Sequence, residues 1–221
     1  MDIRPDETVA TIRRELASLS RHDVPSVRKL RRQYSTAFKT APANSVLKLV
    51  RLLLRGGGWP QRLIAFELLA SHKSAFELLN DKLVDEMAEG LSDWGSVDLF
   101  GVTILGRAWR EGFVSDRKIH SWARSPDRWK RRLALVATVP LNSKARGGTG
   151  DVGRTLSVCR LLLDDRDDMV VKAMSWALRE LSKINPVSVK EFVANENHRL
   201  AARIKREVDN KLITGKKNPK R

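Results

Sequence analysis

The sequence predicts an all-α chain, and within that class an α-α superhelix, a HEAT-like or armadillo-type solenoid with one concave basic face. Three observations carry the expectation. Apolar residues recur at three- and four-residue intervals almost everywhere, while strand-like alternation is scarce. Loops announce themselves at "RGGGWP", "LNSKARGGTGDVG" and "LLDDRDD" and bound helical units. Those units resemble one another: "WPQRLIAFELLASH" starts at Trp59, "WGSVDLFGVTILGRAW" at Trp94 and "WKRRLALVATVPLN" at Trp129, twice 35 residues apart.

Taken along the chain, "MDIRPDETVATIRREL" carries charges throughout and has no apolar signal-peptide segment. In "NSVLKLVRLLL", Val46, Leu49, Val50 and Leu53 fall on one helical face. The three Trp-initiated units follow, and then "SKARGGTG", which reads as an insertion. The fourth unit, "MVVKAMSWALRELSK", starts at Met169, 40 residues after Trp129. In both "SPDRWKRRLALVATV" and "DDRDDMVVKAMSWAL" acidic residues precede the helix, where capping and the helix dipole favour them. No unit can bury its apolar face alone, so stacking is expected, with residues 1–213 as one repeat domain. The remainder, 214–221, reads as a basic and disordered arm.

The fourth position of each unit is occupied by Arg62, Arg132 and Lys172; in the second unit it is Val97, with Asp98 next. A basic residue once per repeat would line the concave face with positive charge. The competing reading is that these residues make salt bridges inside the repeats. The formal net charge of +16, from 42 Lys and Arg against 26 Asp and Glu, favours a polyanionic partner. Nucleic acid is the first candidate because neutralised phosphates release counterions; no basic amphipathic segment stands apart to suggest a membrane surface.

Other chemistries are poorly supplied. A single cysteine, Cys159, excludes an intrachain disulfide and a paired-thiolate metal site, and reads as a buried small hydrophobe. His22, His72, His120 and His198 lie far apart, so no metal is expected, and no cofactor. "GGTGDVG" lacks the G-K-[ST] ending of a phosphate loop, and "DDRDD" lacks the glycine and distal glutamate of a calcium loop. With no long apolar run either, a cytoplasmic protein is expected.

One stretch stands out. In "DWGSVD" a carboxylate, Asp98, sits inside an otherwise apolar helix pattern, four residues after Trp94 and so on its face. Trp176 lies in the fourth unit, beyond Lys172. An aspartate flanked by two indoles would suit a cation. The alternative is that Asp98 bridges to a neighbouring arginine while the tryptophans fill the core.

The repeat pattern, together with "WGSVD", "RWKRRLA" and "VKAMSWALRELSKINP", resembles the DNA alkylation-repair family, the HEAT-like DNA glycosylases of the AlkD type, over about Trp59 to Pro186. The resemblance implies removal of cationic N3- and N7-alkylated purines from double-stranded DNA, without obligatory base flipping; a solenoid with both ends capped would act as a monomer. It implies that Asp98 is the catalytic carboxylate, that Trp94 and Trp176 stand beside the lesion's deoxyribose, and that Arg132 belongs to the DNA-binding face. Lys172 and Arg62 are expected to join it there. Asp98 would then be tolerated in the helix because it faces the DNA cleft incompletely compensated. "STAFKTAPANSVLKLV" departs from the family pattern: Pro42 is followed by Ala43, Asn44 and Ser45, with no arginine before Arg51. The rival function is a non-catalytic repeat scaffold that binds nucleic acid or an acidic protein.

Overall fold

The computed structural model describes residues 4–219, and among them every regular element is helical. The chain divides by its contacts into two compact units, residues 1–91 and 92–221.

The first unit contains α1 (Pro5–Ala17), α2 (Val24–Ala37), α3 (Ala43–Leu54), α4 (Trp59–Ser71), the single turn α5 (Lys73–Phe76) and α6 (Asp81–Ala88). α1 packs on α3, and α4 packs on both α2 and α3. The face read from "NSVLKLVRLLL" is the buried one: Val46, Leu49, Val50 and Leu53 are fully covered. Ion pairs join successive layers here, Arg31 with Glu67 and Arg51 with Glu86, across 36 and 35 residues.

The second unit opens with α7 (Trp94–Phe100), a π-helical turn (Gly101–Leu105) and α8 (Gly106–Arg110), whose backbone stays helical through both junctions. It continues through α9 (Asp116–Ala123), α10 (Arg128–Val136), α11 (Val139–Asn142), α12 (Val152–Leu161), α13 (Asp168–Leu181), α14 (Pro186–Asn195) and α15 (Ala202–Thr214). Every second or third helix packs on the one before it in a row: α7 on α10, α10 on α13, α13 on α15. This is the stacking of a helical solenoid, each layer covering the apolar face of the last. Cross-layer ion pairs repeat at the same interval, Asp98–Arg132 and Arg131–Asp165 across 34 residues, Asp164–Arg199 and Asp168–Arg203 across 35. The 35-residue period of the sequence is thus the distance between stacked layers.

The expected acidic starts are side-chain caps. Asp93 accepts from the Ser96 N–H (2.8 Å), Asp127 from Trp129 (2.9 Å) and Asp167 from Met169 (2.8 Å). Each satisfies an N–H that has no partner within its own helix. Cys159 is fully buried in α12, and burial pushes its thiol up to about 12, as a small core residue requires. The segment read as a disordered arm is placed as far as residue 219, where a turn at Gly215 follows α15; residues 220–221 lie outside the described residues.

Two glycines set the spacing that the site needs. A Cβ on Gly101 would stand 2.6 Å from Val136 Cγ1, and one on Gly106 would stand 2.4 Å from the Ala137 carbonyl oxygen. The Gly106 contact is with backbone, so the end of α10 approaches α8 closely, whereas the Gly101 contact is with a side chain of α10 packed on the π turn. On the same helix, Arg132 reaches back to Asp98 of α7. π turns of this kind recur at functional sites.

Candidate functional site

The row α7–α10–α13–α15 carries one chemically distinctive residue or more per helix. On α7, Trp94 and Asp98 share a face. Trp94 is 63% exposed, which rules out the core role weighed for it. Asp98 is largely buried, its side chain 18% exposed.

Arg132, from α10, answers Asp98 directly. Its Nε donates to Asp98 Oδ1 at 2.8 Å and its Nη2 to Oδ2 at 2.7 Å. Its remaining Nη1 donates to the Met169 carbonyl at 2.5 Å, which ties the pair to the first turn of α13. Arg132 is only 5% exposed. Such a two-pronged match fixes the plane of the carboxylate as well as its position. Asp98 is therefore paired, as the bridging alternative has it, while its carboxyl stays above the usual range, as an incompletely compensated charge should. Burial pushes the Asp98 carboxyl above the usual carboxylate range; hydrogen bonds from Arg132 and its charge pull it back, and the charge of Asp93 adds to the rise.

α13 adds the third side. Lys172, Trp176 and Arg179 occur at four- and three-residue steps and so fall on one stripe of the helix. Trp94, Arg132, Met169, Lys172, Trp176, Arg179 and Lys217 line a cleft of about 380 Å³. Asp98 adjoins this cleft through Arg132 rather than lining it. Lys172 pairs with Asp168 one turn earlier (2.6 Å) but keeps 40% of its side chain exposed. Behind the cleft, Glu207 of α15 accepts a hydrogen bond from Ser175 Oγ at 2.6 Å and lies 3.9 Å from Arg179 Nε. Burial lowers the Arg179 pKa, with the charge of Glu207 opposing it.

Five of the six residues singled out in the sequence thus fall in one place: Asp98, Trp94, Trp176, Arg132 and Lys172. Arg62 does not join them; it lies on α4 in the first unit, where Nη2 donates to the Gly90 carbonyl at 3.0 Å. There it lines a cleft of about 660 Å³ with Arg51, Arg55 and Glu86. Two residues of the α13 site escaped the sequence reading. Arg179 could have been found, being one turn beyond Trp176 on the same stripe. Lys217 had no periodic signal, since it lies beyond the last helix.

What the arrangement can do is bounded by its parts: a carboxylate fixed by a guanidinium, two indoles at least partly accessible, and cations around them. Among the described residues no group of His, Cys, Asp and Glu could hold a metal ion, and no helix is long and apolar enough to cross a membrane. A family model described as DNA alkylation repair enzyme matches residues 22–211. That span extends well to the N-terminal side of Trp59, where the recognisable motifs begin. No curated protein matches the chain.

Proposed function

We propose that this chain, which belongs to the DNA alkylation repair enzyme family and so has a role in DNA repair, is a DNA glycosylase that excises cationic N3- and N7-alkylated purines from duplex DNA. The observation that carries the proposal is the Asp98 carboxylate, fixed by both oxygens on Arg132 beside a cleft that Trp94 and Trp176 line.

Alkylation at N3 or N7 gives the purine a positive charge, so it leaves without prior protonation. One carboxylate then suffices where ordinary glycoside hydrolysis uses two. As the C1′–N bond breaks, its electron pair leaves with the purine, which becomes neutral, and positive charge develops on the sugar as an oxocarbenium ion. Asp98 stabilises that charge. Arg132 takes up one lone pair on each of its oxygens, and the others remain available to orient water. Water oxygen bonds to C1′ and its proton passes to Asp98 or to solvent. The indoles add contacts to the cationic sugar of about 0.5–2 kcal/mol each. Fixed groups that meet developing charge in this way commonly supply ~3–4 kcal/mol.

In this reading Arg132 acts as the positioning partner of Asp98. Lys172 contacts DNA phosphate from the basic face, Arg62 does so from the first unit, and the protein works as a monomer on base pairs it need not flip.

The test is to incubate the wild-type protein and Asp98→Asn with duplex DNA carrying one N7-methylguanine. Free base and an abasic site from wild type alone support the reading. Equal release by both proteins would assign the chemistry to another group. Tight binding by wild type with no release would leave a non-catalytic repeat scaffold.

A further inference from the structure

One wall residue of the cleft, Lys217, comes from outside every helix. α15 ends at Thr214, and Gly215 adopts the left-handed conformation (φ +72°) that reverses the chain. The turn is tied on both sides: Asn210 Nδ2 donates to the Lys217 carbonyl (3.1 Å), the Lys216 N–H donates to Thr214 Oγ1 (3.2 Å), and Lys211 Nζ donates to the Gly215 carbonyl.

The Lys217 ammonium then stands 3.4 Å from Oε2 of Glu207, a carboxylate only 3% exposed. Arg179 and Arg203 approach the same carboxylate at 3.9 and 3.6 Å. Arg203 and Lys172 also pair with Asp168. The residues lining the cleft include four cations, Arg132, Lys172, Arg179 and Lys217, and no carboxylate. The surplus is positive and lies beside Trp176. Lys217 keeps 43% of its side chain exposed, so an ammonium with three donors retains capacity for a further acceptor.

We propose that Lys217, held in place by the Gly215 turn and by Glu207, binds a backbone phosphate of the duplex flanking the lesion. This rests on the reading of the α13 cleft as the DNA site. An ammonium is a point charge suited to a phosphate, and tethering it beforehand removes part of the ordering cost that a free tail would meet on binding. The last helix and its turn are then part of the DNA site rather than a solubilising end.

The experiment measures affinity for a duplex bearing one tetrahydrofuran abasic analogue, which cannot be turned over, across a salt series. It compares wild type, Lys217→Gln and Lys216→Gln, the last removing the same charge one residue away from the cleft. Loss of one phosphate contact lowers the slope of log K against log salt by about 0.9. That change is expected for Lys217→Gln and not for Lys216→Gln. Equal changes in the two variants, or none in Lys217→Gln, would overturn the proposal. In a Glu207→Gln background the effect of Lys217→Gln should shrink; an undiminished effect would overturn the anchoring role. Base release by wild type from an N7-methylguanine duplex is followed alongside. Its absence would sink the glycosylase reading while leaving the binding comparison intact. Absence of salt-dependent binding by wild type would sink both.

Discussion

Asp98 and Arg132, 34 residues apart and on adjacent stacked helices, meet through two parallel hydrogen bonds of 2.8 and 2.7 Å. The pair solves two problems together. It compensates a carboxylate in a largely buried helix, and it holds that carboxylate still beside the cleft.

Removing one partner should therefore cost more than stability bookkeeping for a surface ion pair suggests. Arg132→Leu leaves Asp98 with a buried, unmatched charge and the Met169 carbonyl without its donor. Breaking a buried pair in this way costs about 3–5 kcal/mol, and the partial exposure of Asp98 places the expectation at the lower end. Urea unfolding measures it; a loss below ~1 kcal/mol would mean that water already satisfies the carboxylate. Arg132→Lys keeps the charge and loses the fork, so base release should fall even though the net charge is unchanged.

The pH dependence of base release has a definite sign. Burial raises the Asp98 pKa above the usual carboxylate range, and the ionised form is the active one. Activity should be retained on the alkaline side and be lost as pH falls through that raised value, with Arg132 present throughout. The leaving group is already cationic, so no second, alkaline limb from a general acid is expected. Single-turnover rates across the acid range check this. A flat profile, or a fall towards high pH, would remove Asp98 from the reaction.

Trp94 should separate activity from stability. At 63% exposure it contributes little to the core, and Trp94→Ala should change unfolding free energy by no more than about 0.5 kcal/mol. Base release should drop severalfold, matching the ~0.5–2 kcal/mol of one indole–cation contact. Trp109, fully buried on α8, should behave oppositely: its replacement by alanine costs about 3–5 kcal/mol through cavity formation. Thermal melts beside excision assays distinguish the two.

The glycines beneath the pair should be intolerant in graded fashion. Gly101→Ala meets a side-chain methyl of Val136, which can rotate or shift slightly. Gly106→Ala meets the carbonyl of Ala137 and the ring of Pro140, which cannot move without moving the backbone. Overpacking of this kind costs about 1–3 kcal/mol, and Gly106→Ala should show the greater loss in denaturant unfolding. Equal stability of both variants and wild type would mean that the helices are free to separate.

The sequence by itself determined the helical class, because three- and four-residue apolar spacing has only one geometric solution. It determined the layer interval too: the 35-residue recurrence of Trp59, Trp94 and Trp129 reappears in ion pairs spaced by 34–36 residues. It also singled out Asp98, since a carboxylate breaks an apolar pattern at a cost that some partner must offset. The sequence points only to a neighbouring arginine, and α10 carries three, Arg128, Arg131 and Arg132. Tertiary structure decided it: only Arg132 points to α7, whereas Arg131 turns to Asp165 and Arg128 to Asp167. Arg62 shares its repeat position with Arg132, and the structure gives it the Gly90 carbonyl of the first unit as its partner. Lys217 joined the cleft for a reason that no periodicity encodes. A left-handed turn at Gly215 reverses the chain after the last helix, and the carboxylate that receives the lysine is buried on the helix just completed.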